Sequence, residues 1–208
     1  MFPLMVRHLS SDFEKMMTGR ELFQRACRRC ILSSSILSAF RRNTLLLRGA
    51  LIGKGTRIPP RTQVTWPHQI QIGESCVLQT DIFFNFDHYW TCGPSIIVGN
   101  RVFIGKGVEF NIRGKIEVGD DALIASGCVF VDHDHARNIA IPMNIQPQKT
   151  QPIVLGRNVW LGAHCIVLKG VQIGDNAIIG AGSIVTKSVP PSEIWAGGPA
   201  KRMSVIAK

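Results

Sequence analysis

From Leu155 onward apolar residues return at every sixth position. The chain reads LGRNVW, LGAHCI, VLKGVQ, IGDNAI, IGAGSI and VTKSVP, opened by residues 155, 161, 167, 173, 179 and 185. A small or β-branched residue takes the fifth place each time. The same period runs backward in groups of three, opening at Ile52, Ile58 and Val64, at Ile72, Leu78 and Phe84, at Val98, Ile104 and Phe110, and at Val118, Ile124 and Phe130. A period of six fits neither an α-helix nor a long strand. It predicts short strands that turn a corner every six residues, with the opening residue and the small fifth residue facing a narrow interior. Gly and Asn near the corners accept the turn conformations this needs. Three hexads per coil make a triangular prism, and six coils at ~4.8 Å each give a length of roughly 29 Å. The expected fold is all-β, a parallel β-helix of about six triangular coils over 50–190. A helical segment, 1–49, precedes it and a tail, 191–208, follows.

The interruptions of the repeat carry further information. Extra residues follow the hexads that open at 64, 84, 110 and 130, each the third of its triplet. All therefore leave the prism at one edge. The two large external loops, 84–97 and 136–154, are expected to build a site there.

Ahead of the prism, residues 21–40 read as an amphipathic helix. Phe23, Cys27, Cys30 and Ile31 share one face, and Arg25, Arg28 and Arg29 the other. Such a helix would cap the unpaired edge of the first coil. Contact with a membrane surface is the second reading. The charge distribution bears on this choice: the net charge is +10, and residues 1–50 hold nine Lys/Arg against three Asp/Glu. The body lacks interleaved aromatic and basic residues, which argues against nucleic acid; anionic lipid or a phosphorylated cofactor fits. No apolar run is long enough for a spanning helix. Charges at Arg7, Asp12 and Glu14 interrupt the start where a signal peptide would be apolar, so a cytoplasmic protein is expected, with peripheral contact at the inner face of the membrane as a further expectation. Three of the six cysteines, Cys76, Cys128 and Cys165, fall at the small fifth place of their hexads and read as reduced, structural thiols.

Candidate chemistry concentrates at Asp132-His133-Asp134-His135, where the hexad opened by Phe130 runs into the longest insertion. Imidazole is the side chain best suited to general base work near neutral pH, and adjacent carboxylates can hold its tautomer.

These hexads, the His before a long loop, and the strings NVWLGAHC, IGAGSIVTKSVPP and AGGPAKRM resemble the hexapeptide-repeat O-acetyltransferases, in the branch of the maltose, galactoside and exopolysaccharide acetyltransferases. The resemblance is detailed over Val98–Met203, thinner over 50–97, and does not cover 1–49. It implies a left-handed β-helix, a homotrimer with active sites between subunits, acetyl-CoA as donor with no metal, and a sugar or glycan precursor as acceptor in polysaccharide biosynthesis. It places the base at His135, the sixth residue of its hexad, with His133 as second choice. It places Asn111 at the acceptor, with Asn85 one coil earlier. Trp160 falls near the reacting centre or at a subunit contact, and the Ala163 N–H serves as oxyanion donor. Gly180, Ala181 and Gly182 keep the CoA face shallow, while Thr186, Lys187 and Lys201 lie near the CoA phosphates, with Arg202 at hand. The aromatic stretch Phe84-Asn85-Phe86-Asp87-His88-Tyr89-Trp90 departs from the family pattern and is an expected platform for a pyranose ring.

Two other functions fit the prism. A zinc hydrase of the γ-carbonic-anhydrase kind would need three converging histidines, for which His133, His135 and His164 are available. A non-catalytic assembly scaffold would need no intact donor face.

Overall fold

The six-residue period closes into three flat faces. The computed structural model describes residues 36–206. Face A stacks Leu51–Ile52, Ile70–Ile72, Ile96–Val98, Ile116–Val118, Ile153–Leu155 and Gln172–Ile173 in parallel. Face B stacks Val77–Leu78, Phe103–Ile104, Leu123–Ile124, Trp160–Leu161 and Ile178–Ile179; face C stacks Gln63–Val64, Phe83–Phe86, Glu109–Ile112, Val129–Val131, Ile166–Leu168 and Ile184–Val185. Each hexad opener pairs with its counterpart one coil on, as in Val98 with Val118 or Ile124 with Leu161. Every opener is buried except Val64, which is half-buried at the open end.

Under face C the openers Phe84, Phe110 and Phe130 form a ladder with ring centroids 5.0 Å apart at each step and nearly parallel planes. All three rings are fully buried, so truncating one to Ala would cost about 3–5 kcal/mol. At the small fifth place, Cys76, Cys128 and Cys165 are buried free thiols. Each donates to the carbonyl of a glycine on the following coil, Gly99, Gly162 and Gly180. Coils approach closely at the A/B edge: a Cβ on Gly119 would lie 2.5 Å from the Gly156 carbonyl oxygen.

Both ends of the stack are covered. Helical residues 36–47 cap the first coil, with Leu45 buried in the core. Arg42 donates to the Ile52 carbonyl at 2.9 Å and Arg41 to the Thr62 carbonyl, filling acceptors that no preceding coil among the described residues pairs. The segment expected to be helical over 21–40 thus enters the described structure only from residue 36, and its earlier part lies outside the described residues. At the far end the stack runs past residue 190. Val189 bridges to Ile173, and Glu193–Ala196 joins face B beside Ile178–Ile179. Lys201–Val205 then folds back antiparallel on Glu193–Ala196. Residues 191–206 therefore form a partial seventh coil closed by a hairpin rather than a separate tail.

Candidate active site

The site is built at the C/A edge, where face C ends and both long insertions leave the prism. His133–His135 pairs antiparallel with Gln148–Thr150, so 136–147 closes the tip of a β-hairpin arm. Inside the tip Gln146 is buried; its amide donates to the Asn138 and Ile141 carbonyls and its oxygen accepts from the Asn138 N–H. The root is tied to the body by Lys169, whose Nζ lies 2.6 Å from Asp134 Oδ1. That hydrogen bond holds the Asp134 carboxyl below the usual carboxylate range.

Alternation along the strand turns Phe130 inward, Val131 outward and Asp132 inward again. In the two preceding coils that inward place belongs to Phe86 and Ile112. Asp132 is thus a carboxylate at a core position, with no exposure. It is satisfied by three backbone donors: Arg113 N–H to Oδ1 at 2.8 Å, and Gly114 and Lys115 N–H to Oδ2 at 2.6 and 2.9 Å. Gly114 permits this approach, since a Cβ there would sit 3.1 Å from Oδ2. The remaining partner of Oδ1 is His133 Nδ1, at 3.1 Å. A carboxylate only accepts, so Nδ1 carries the proton and Nε2 presents a lone pair. The His133 side chain is only 9% exposed, and its Nε2 lies 3.8 Å from Asp87 Oδ2. Asp87 belongs to the other insertion and is also approached by Arg113 at 3.4 Å. The two loops therefore meet at this imidazole.

His135, the residue that the resemblance puts first, is exposed on the arm, and among the described residues its ring nitrogen meets only the Gln148 amide, at 3.4 Å. His135 lies beyond the prism edge on the hairpin, where no buried group orients it. Asn85 and Asn111 are brought together, with Asn85 Nδ2 donating to Asn111 Oδ1 at 3.1 Å on the outer surface of face C, at the coils below His133. Of the aromatic stretch, Phe84 and Phe86 pack inward, whereas Tyr89 and Trp90 are exposed. Trp90 lies over His68, with centroids 5.7 Å apart, and His68 meets Trp66 edge-on at 5.9 Å.

The residues expected on the donor side lie elsewhere in the same chain. Ala163 and Ala181 sit at the B/C edge in a stack of small residues, where a Cβ on Gly162 would lie 2.5 Å from the Ala181 nitrogen. Among the described residues no group accepts the Ala163 N–H, although its carbonyl accepts from Gly182. Gly180 lies under Ala196 in this stack, and Lys201 is on the strand beside it, paired with Ala196. Arg202 pairs with Glu193 at 3.0 Å. Thr186 and Lys187 are exposed but follow Val185 at the C/A edge, on the histidine side. Trp160 is half-exposed on the outer surface of face B. His164 is at the B/C edge, so within one chain His133 and His135 do not converge with it. Gly114 and Lys169 were not singled out in the sequence as site residues, and Asp87 was named only within the aromatic stretch; Asp132 was read as one of the carboxylates beside the histidines, and the signal that sets it apart is an acidic residue at an inward place of the repeat.

Comparison with known proteins agrees with this architecture. The profile "Bacterial transferase hexapeptide (six repeats)" matches residues 152–187 and "Hexapeptide repeat of succinyl-transferase" matches 95–130. The galactoside O-acetyltransferase of Escherichia coli is 32% identical over 130 residues, covering 62% of this chain and 61% of that protein. The putative lipopolysaccharide biosynthesis O-acetyl transferase WbbJ of the same organism is 32% identical over 148 residues, covering 61% of this chain and 74% of that protein. The chain thus spans less than two thirds of the length of the first of these relatives. A solved galactoside acetyltransferase in complex with coenzyme A superposes with a TM-score of 0.53 at 26% identity, over 76% of this chain and 66% of that one. The solved neighbours are left-handed β-helices, which gives the hand of the coil. With this repeat, fold and degree of identity, the chain belongs to the hexapeptide-repeat, left-handed β-helix O-acetyltransferase family, in its galactoside and polysaccharide branch.

Proposed function

We propose that the chain transfers an acetyl group from acetyl-CoA to a hydroxyl of a sugar or polysaccharide precursor, with His133 as general base. The observation that carries this reading is the Asp132–His133 pair. A buried, fully hydrogen-bonded carboxylate fixes the imidazole with its Nε2 lone pair outward, beside a loop that offers exposed aromatic surface. Nε2 takes the acceptor's proton as its oxygen attacks the thioester carbonyl. The tetrahedral oxyanion collapses, the C–S bond breaks, and the imidazolium returns the proton to the departing thiolate. The products are the acetyl ester and free CoA. The Ala163 N–H, unpaired among the described residues, suits the oxyanion, because a backbone donor is in place before charge develops. The names of the relatives, and the coenzyme A bound to the solved galactoside acetyltransferase, support the donor and the acceptor class.

One chain is not sufficient for this mechanism. His133 is at the C/A edge and Ala163 at the B/C edge, so base and oxyanion donor face different sides of the prism. A second copy that lays its B/C edge against the first copy's C/A edge brings them together, and three such contacts close a ring. The outer surface of face B supports this arrangement. Val77, Phe103, Leu123, Trp160, Ile178 and Ile194 stand in one register, so an apolar stripe runs the length of the prism. In a trimer this stripe is the subunit contact, and Trp160 reaches the neighbour's site. The test is CoA release from acetyl-CoA in the presence of a panel of pyranosides. The intact protein should release CoA, and His133→Ala should not. Loss in His135→Ala with retention in His133→Ala would refute the assignment.

A further inference from the structure

We propose that the helix-capped end of the prism docks on an anionic lipid surface. The capping helix has two apolar faces, and capping needs only one. Its inner face supplies Ser38 and Leu45, both buried against the first coil. On the opposite side Ile36, Phe40 and Leu47 fall within about 40° of each other around the axis at 3.6 residues per turn. They are 66%, 72% and 90% exposed. A helix that only closed the stack would carry polar residues there.

The charge around this face selects the partner. Residues 36–61, which make up the helix and the first turns of the prism, contain six Lys/Arg and no Asp or Glu. Arg41 and Arg42 are partly committed to the Thr62 and Ile52 carbonyls. Arg48, Lys54, Arg57 and Arg61 are exposed; among the described residues only Arg61 has a carboxylate partner, Asp81. Beside the apolar stripe, a small cleft lined by Phe40, Arg41, Thr44, Leu45, Arg48 and Val64 sets two guanidinium groups next to aliphatic and aromatic carbon. Apolar side chains between basic ones at a surface suit insertion at the boundary between acyl chains and phosphate headgroups. A second copy of this chain is a poor occupant, since it would set one basic rim against another. Each basic residue near an anionic surface raises binding about fivefold, an effect that salt screens.

The test uses the full-length protein sedimented with vesicles of phosphatidylcholine alone or mixed with phosphatidylglycerol, at low and high salt. Binding is expected to the mixed vesicles at low salt only. The double variant Phe40→Glu/Leu47→Glu should lose binding at least tenfold, and Arg48→Glu on the order of twentyfold, from two units of charge. Both should keep the thermal midpoint of the parent, because these side chains point away from the core. Failure to bind mixed vesicles, or binding that these variants leave unchanged, would overturn the proposal. So would a marked fall in thermal midpoint, which would show the face covered within the folded chain, or a change in oligomeric state, which would make it a contact between copies. None of these readouts depends on acetyl transfer.

Discussion

Replacing Asp132 by Asn tests the core of the site, because the two side chains have the same shape and differ in what they can accept. Asp132 receives four donors, two on each oxygen: Arg113 N–H and His133 Nδ1–H on Oδ1, Gly114 and Lys115 N–H on Oδ2. An amide has one oxygen and one NH₂. If its oxygen takes the Oδ2 place, the contacts to Gly114 and Lys115 survive. The NH₂ then faces the Arg113 N–H and His133 Nδ1. The opposite orientation points the NH₂ at two backbone donors and is worse. In the better orientation the imidazole accepts at Nδ1 and moves its proton to Nε2, the nitrogen that must take the acceptor's proton. Turnover should fall by about 10²–10⁴, the range for a lost general base, while the KM for acetyl-CoA changes little. The orphaned Arg113 N–H, with the loss of a charge-assisted bond, should cost about 3 kcal/mol, or roughly 6–12 °C in Tm for a chain of this size. CoA release measures the first effect, ¹⁵N shifts of the imidazole the tautomer, and thermal unfolding the third. A variant that keeps turnover within a few-fold, with its proton still on Nδ1, would refute the orienting role of Asp132.

The remaining expectations follow from the same geometry. His133→Ala should lose about 10²–10⁴ in turnover, whereas His135→Ala, exposed and bound only to Gln148, should stay within about fivefold. Lys187→Ala and Lys201→Ala should raise the KM for acetyl-CoA more than that for a dephospho-CoA thioester, since a phosphate contact is uniform binding; an equal effect on both donors would remove these lysines from the phosphate site. Leu123→Glu/Trp160→Glu places charge on the face B stripe and should convert a trimer to monomers in light scattering. Mixing His133→Ala with a variant altered around Ala163 should restore activity, and a persistently inactive mixture would confine the site to one chain. The Lys169–Asp134 tie lowers the folded-state pKa of Asp134, so its stabilisation is present above the usual carboxylate range and disappears as pH falls through the depressed value. Hydrogen exchange at Gln148–Thr150 should be protected at neutral pH and lose that protection only as pH falls below the ordinary carboxylate range, whereas Lys169→Met should be less protected at neutral pH already.

How much of this was legible in the sequence differs between the prism and the site. Periodicity alone determined three faces, six full coils, the identity of the inward residues and the edge from which the loops leave. Each of those is a consequence of a local rule, namely which residue every six must be apolar and which corner can absorb an insertion. The same rule placed Cys76, Cys128 and Cys165 inside as structural thiols. The partial seventh coil was not legible, because Glu193–Ala196 and its hairpin partner have left the hexad pattern and are held by pairing to Ile178–Ile179. The choice between His133 and His135 was not legible either. Two histidines two residues apart share a strand face, and their difference lies in what stands beside them. His133 lies at the prism edge against Asp132, and Asp132 is held by three amides from residues 113–115, a coil away in sequence. His135 is already on an arm whose partner strand comes from 148–150. Asp87, the carboxylate nearest His133 Nε2, comes from an insertion two coils earlier. The sequence by itself determined the repeat, because stacking identical short strands needs only a periodic apolar position. The tertiary structure decided which imidazole is oriented, because orientation is set by donors and acceptors that the coiling brings together from distant segments.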